Sequence, residues 1–127
     1  MSEIRANTVS NAAGTGPVTL TGQYAAKAWV NFNGTGTIAT RDSENVSSIT
    51  DTFTGTTTVT LTTGMSDANY QISVTSGGTG GANGDSTFGL IGDGAPTTTT
   101  FSAMARDNNG NRFDALYVHA SVNGDLA

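Results

Sequence analysis

Few side chains in this 127-residue chain are equipped for chemistry, and their types and spacing limit what each can do. His119 is the only histidine, with Asp114 and Ser121 near it, so a serine–histidine–acid hydrolase would have to be assembled around that residue. A triad is a matter of geometry that proximity in sequence does not supply, and serines and acids are common here. His119 is accordingly assigned to a solvated or inter-subunit strand face. Asp42 and Glu44 form a carboxylate pair of the kind that cleaves glycosides, but solvation of a loop accounts for two such acids. Asp107-Asn108-Asn109-Gly110-Asn111 collects oxygen ligands in one turn, and residues 77–85 have the glycine and aspartate content of some calcium loops. The first lacks the spaced acids and closing glutamate of an EF-hand loop; the second occurs once, without a Gly-x-Asp step. Turn formation explains both. No catalytic residue, metal ion or cofactor is expected, and the chain is read as a non-enzyme.

Aromatic rings offer a different chemistry, because a flat ring stacks on the apolar face of a pyranose. Trp29, Tyr24, Tyr117 and Phe113 are the candidates. Trp29 alternates with Ala28, Val30 and Phe32 and so lies on the opposite side of its strand. It is expected in the second side of a sandwich or at a subunit contact, with an exposed platform as the alternative.

The elements that must position these residues read as strands. Threonine supplies about one residue in six and there are 17 glycines, which suits pleated strands with tight turns and disfavours helices. Ala28, Val30 and Phe32 share one face of a first strand, and Asn33-Gly34-Thr35-Gly36 provides a turn into a second over 37–41. Between Asn45 and Asp51, Val46 and Ile49 break the alternation, which indicates a bulge or a strand end. Further strands follow at Val59 and Leu61, at Tyr70, Ile72 and Val74, at Phe88, Leu90 and Ile91, and over 97–106 with Phe101, Ala103 and Ala105 on one face. A last strand over 112–122 turns Leu116, Val118, Ala120 and Val122 inward, with Tyr117, His119 and Ser121 opposite. The pattern predicts an all-β fold, a single antiparallel β-sandwich or jelly-roll-like domain over residues 24–127. Residues 1–23 are sparsely apolar and read as an extended N-terminal arm for docking or oligomerisation, with Ile4, Val9, Val18 and Leu20 as its contact side chains. The glycine-rich 77–85 stretch is no strand interior, so Gly77, Thr79, Asn83 and Asp85 are assigned to a surface-contact loop.

Composition narrows the partners. Leu, Ile, Val and Phe make up only 23 of 127 residues, a thin core that gains from burial against other subunits, so an oligomer is expected. A net charge of -5 with five scattered basic residues offers no footprint for a phosphate backbone, which argues against nucleic acid. Nowhere do eighteen apolar residues run together, so no membrane insertion is expected, and the start Met1-Ser2-Glu3-Ile4-Arg5 leads into no signal peptide. Without cysteine, neither disulfides nor thiolate metal sites can staple the fold.

One segment carries a family likeness. The wording Lys27-Ala28-Trp29-Val30-Asn31-Phe32-Asn33-Gly34-Thr35-Gly36-Thr37, then Arg41-Asp42-Ser43, then Asn45-Val46-Ser47-Ser48-Ile49-Thr50-Asp51, resembles a small β-domain module that recurs in bacteriophage tail-fibre and other virion structural proteins. The likeness extends over about Ser2 to Asp51 and more loosely over Met65-Ser66-Asp67-Ala68-Asn69-Tyr70. It implies a virion structural protein, most simply a small tail-fibre or tail-appendage protein that anchors to other virion proteins by its arm. The β domain would form a homotrimer and contact a host-surface polysaccharide or protein. The alternative is a capsid decoration, or cement, protein on the outer capsid surface. No binding residue carries over from the resemblance.

Overall fold

The computed structural model of the chain describes residues 13, 25–78 and 88–127. Eight strands occur among them: β1 (Ala28–Asn33), β2 (Ala39–Glu44), β3 (Val46–Phe53), β4 (Thr56–Leu61), β5 (Gln71–Gly77), β6 (Phe88–Ile91), β7 (Thr100–Arg106) and β8 (Tyr117–Asn123). They form two four-stranded sheets, sheet A in the order β2-β1-β8-β5 and sheet B in the order β3-β4-β7-β6. Every pairing is antiparallel. The described domain is therefore an all-β sandwich. Three links are hairpins within a sheet (β1 to β2, β3 to β4 and β6 to β7), while the other four carry the chain from one sheet to the other.

Period-two alternation builds the interior, because successive side chains of a strand point to opposite faces. Sheet A contributes Ala28, Val30, Phe32, Ile72, Val118, Ala120 and Val122, and sheet B contributes Val59, Leu61, Phe101, Ala103 and Ala105, all buried. Phe32, Val30 and Val59 are among the largest fully buried side chains, and burying each stabilises the fold by roughly 1.5–3 kcal/mol.

The two flanks of the sandwich are closed differently. At the β5/β6 flank the sheets nearly touch: a Cβ at Gly89 would lie 2.5 Å from the Thr75 Cα and from the Val74 carbonyl oxygen. Only a residue without a side chain permits that approach. At the other flank β2 passes to β3 through Asn45 alone, whose φ of 55° is left-handed, a conformation asparagine tolerates better than most residues. Its amide clamps the corner. Nδ2 donates to the carbonyls of Lys27 (3.1 Å) and Thr63 (3.0 Å), and Oδ1 accepts the Thr63 N–H at 2.7 Å. From this corner β2 and β3 overhang the core: β2 is exposed along its length except at Ser43, and β3 half-buries only Val46 and Ile49. Phe53, at its end, is 65% exposed.

The expected bulge near Val46 is present, as a register shift between Val46 and Ser48. Two expectations are corrected. The last strand begins at Tyr117, not 112: Arg112 forms a single bridge to Arg106, and Phe113 and Ala115 turn in to close the end of the core. The reason lies in two bonds to other loops: the Ala115 carbonyl accepts the Gly34 N–H (2.9 Å) and the Asp114 side-chain carboxylate accepts the Gly55 N–H (2.6 Å). Those bonds replace a ladder. The second strand runs to Glu44, so Asp42 and Glu44 belong to a strand and not to a loop. The arm residues Ile4, Val9, Val18 and Leu20 lie outside the described residues, as do Thr79, Asn83 and Asp85. Gly77 is described, as the last residue of β5 paired with Tyr117.

Candidate functional site: the outer face of sheet A

Register places the chemistry. Ser73 on β5 pairs with Ser121 on β8, Ser121 with Trp29 on β1, and Trp29 with Glu44 on β2. The next row is Thr75, His119, Asn31 and Asp42. Directly paired residues project to the same side of a sheet. Both rows stand on the outer face of sheet A, because Val30 and Ala120 between them are buried in the core and Val74 packs against it. Neighbouring strands lie about 4.8 Å apart, so each row spans a ribbon about three spacings wide. Four strands distant in sequence thus bring the indole, the imidazole, one amide and two carboxylates onto one surface.

A shallow groove of about 330 Å³ runs along this face, lined by Trp29, Ser73, Thr75, His119 and Ser121 among others. The hydroxyl side chains are short, so the indole forms a wall over a hydroxyl floor. Trp29 is 38% exposed. The core position considered for it is thereby excluded, and it stands on a surface open to a partner or a ligand.

One edge of the groove is braced by Arg41. The β1/β2 register slips between Asn31 and Phe32, opposite Asp42 and Thr40, and leaves Arg41 as the extra bulged residue. Its guanidinium reaches across β1, donating to the Leu116 carbonyl at 2.7 Å and to the Asn31 side-chain oxygen at 3.4 Å. It also lies 4.5 Å from the centroid of the Tyr117 ring, a cation–π contact of the exposed kind. Tyr117, 46% exposed, therefore has one face covered. Trp29 carries no such cation contact among the described residues.

The remaining sequence candidates are built into the scaffold. Asp114 is committed to Gly55, in the hairpin turn of sheet B, and does not join His119 and Ser121. Those two share the outer face of β8 two residues apart. Asp107 is nearly buried, which by itself raises its pKa, but the backbone and side chain of Asn111 and the backbone N–H groups of Asn109 and Gly110 outweigh that and hold it below the ordinary value. Its carboxylate accepts the N–H groups of Asn109 (2.9 Å) and Asn111 (2.7 Å) and the Asn111 side-chain amide (3.1 Å), so its oxygens tie the turn after β7. Tyr70 has its pKa raised by burial and donates its hydroxyl to the carbonyls of Thr97 and Thr100, pinning the chain before β7 to that before β5. Phe113 belongs to the core and Tyr24 lies outside the described residues. Among the described residues no group of three or more His, Cys, Asp or Glu is placed to hold a metal ion.

A second depression, of about 460 Å³, sits where the chain leads into β1, bounded by Lys27, Glu44, Asn45, Thr62, Thr63 and Leu126. It is larger than the groove but has no aromatic wall, and the amide at its centre is spent on the corner. The outer face of sheet A is the better-built site. Sequence reasoning missed Arg41 and Asn31 as parts of it. The one signal for Arg41 was its place after a glycine turn, where a bulge shifts register. No family model matches the chain, no curated protein matches it, and no solved structure matches it.

Proposed function

We propose that this chain is a non-catalytic structural module of a bacteriophage virion, a small tail-fibre or tail-appendage protein. Residues 1–23 anchor it to other virion proteins, and the outer face of sheet A makes the host-surface contact. The observation that carries this reading is the placement of Trp29, Asn31, His119, Asp42 and Glu44 in two rows of one solvent-facing surface, where no requirement of the core calls for them. The polar groups with a structural task, Asp107, Asp114 and Tyr70, lie away from these rows, and Asn45 at the end of one is spent on the corner. Assembly as a homotrimer accords with the overhanging β2–β3 ribbon, which ends each sheet in an exposed edge strand and leaves Phe53 in solvent. Unpaired edges and an exposed ring are what a neighbouring subunit covers.

Deletion of residues 1–23 should leave cooperative unfolding of the sandwich intact and abolish incorporation into particles. Truncated protein found in particles at the full-length level would overturn the anchoring role. Copy number decides the location: a few to tens per particle fit a tail appendage, whereas hundreds would assign the chain to the capsid surface as a decoration protein.

A further inference from the structure

Resting on the reading of sheet A as the contact surface, we infer that the groove beside Trp29 takes a neutral hexopyranose unit of a polysaccharide chain. A pyranose has an apolar C–H face and a rim of hydroxyls that both donate and accept. The groove matches both parts. The exposed indole of Trp29 supplies a flat apolar wall for the C–H face. Ser73, Thr75, Ser121 and His119 supply donors and acceptors along the floor. The groove is open along the sheet, so a polymer can lie across it, with further residues meeting Asn31 and Asp42 in the neighbouring row.

Charge selects among sugars. The row ends on β2 carry Asp42 and Glu44, both exposed and paired in register with Asn31 and Trp29. The cation within the two rows, Arg41, is engaged with Leu116, Asn31 and Tyr117, while Lys27 borders the separate depression beside Glu44 and Asn45. The whole chain carries a net charge of -5. A uronate, sialate or phosphorylated glycan would bring its negative charge beside two carboxylates, with no unengaged cation among the described residues of the two rows to receive it. A neutral glycan meets no such penalty, and its binding rests on stacking and hydrogen bonds, which salt screens little.

Trp29 is the only tryptophan, so its fluorescence reports the site directly. The full chain is titrated with dextran, galactomannan and arabinogalactan as neutral probes, and with alginate and polygalacturonate as anionic ones. Saturable change with at least one neutral probe, retained at 0.5 M NaCl, and none with the anionic probes is expected. Affinity electrophoresis in gels containing the bound probe then compares variants. Trp29→Ala and Ser73→Arg, which fills the groove from β5, should each lose at least tenfold in affinity, and Trp29→Phe should lose less. Retention of binding by Ser73→Arg would overturn the assignment even where Trp29→Ala unfolds. So would preference for the anionic probes, or no response to any neutral one. Virions carrying Trp29→Ala separate this inference from the reading beneath it. Lost attachment with no neutral glycan bound refutes the sugar while sheet A keeps its role; Trp29-dependent glycan binding with normal attachment supports the sugar site and refutes the attachment role.

Discussion

The outer faces of the two sheets cover the same core with different chemistry. Sheet A presents Trp29, Asn31, His119, Asp42, Glu44 and the bulged Arg41. Sheet B presents Ser48, Thr50, Thr58, Thr60, Thr100 and Ser102 in matching rows, with Thr52 and Thr58 hydroxyls 2.9 Å apart. Threonine suits a half-buried pleated surface and its hydroxyl keeps that surface wet, so these two rows on sheet B need no explanation beyond folding; the next row, Phe53, Thr56 and Met104, instead buries Thr56 and Met104 beside the exposed Phe53 ring. Sheet A is different. An exposed indole and a set of amide, imidazole and carboxylate groups add nothing to an antiparallel ladder that threonine would not. That contrast in polar chemistry, more than any single residue, is what favours sheet A as the proposed contact surface.

The comparison can be tested from the inside outward. If both sheets share one core, Phe32→Ala on sheet A and Phe101→Ala on sheet B should each cost about 3–5 kcal/mol in urea unfolding. A cost near zero for either would separate the sheets energetically. Gly89→Ala should force the sheets apart at the shut flank and cost about 1–3 kcal/mol. Ser43→Ala on the overhanging flank should stay within about 0.5 kcal/mol. Equal losses would remove the distinction between the two flanks.

Acid should act through the turn after β7 in sheet B. The Asp107 pKa is depressed in the folded state, so its contribution is present above the unfolded value and is lost as pH falls through the folded one. Melting temperature should drop below about pH 4 in the parent chain. Asp107→Asn should be less stable at pH 7 and show a shallower drop in acid; an unchanged acid profile would contradict the role of this carboxylate. On sheet A, Arg41→Ala should cost about 1 kcal/mol through the exposed cation–π contact and its hydrogen bonds. Arg41→Lys should not restore it, because a lysine lacks the planar fork that reaches Leu116 and Asn31 together. Full recovery by lysine would reduce the brace to a charge effect.

Much of the interior was legible from alternation alone. Ala28, Val30 and Phe32, Val59 and Leu61, Phe101, Ala103 and Ala105, and Val118, Ala120 and Val122 all face inward as their spacing requires. A two-residue period says which side chains are buried but not which strands are neighbours, and the candidate face is a product of neighbours. Trp29 meets His119 and Ser121 only because β1 pairs with β8, across almost the whole chain. Arg41 reaches Tyr117 only because a bulge displaces it, and beyond the glycine turn before it nothing in the local sequence fixes where that bulge falls. Phe113 was hidden for the opposite reason. It reads as one more residue of an alternating strand, yet the Ala115 carbonyl bond to Gly34 and the Asp114 carboxylate bond to Gly55 turn it into a plug.

The most direct test of the central claim exchanges chemistry between the two faces in assembled particles. Virions carrying Trp29→Ala on sheet A are compared with virions carrying Thr58→Val and Thr60→Val on sheet B, after equal incorporation is established. Attachment should fall at least tenfold for the first and stay at the parent level for the second. Normal attachment by the sheet A variant, or a loss of the same size from the sheet B variant, would contradict the assignment of host contact to the outer face of sheet A.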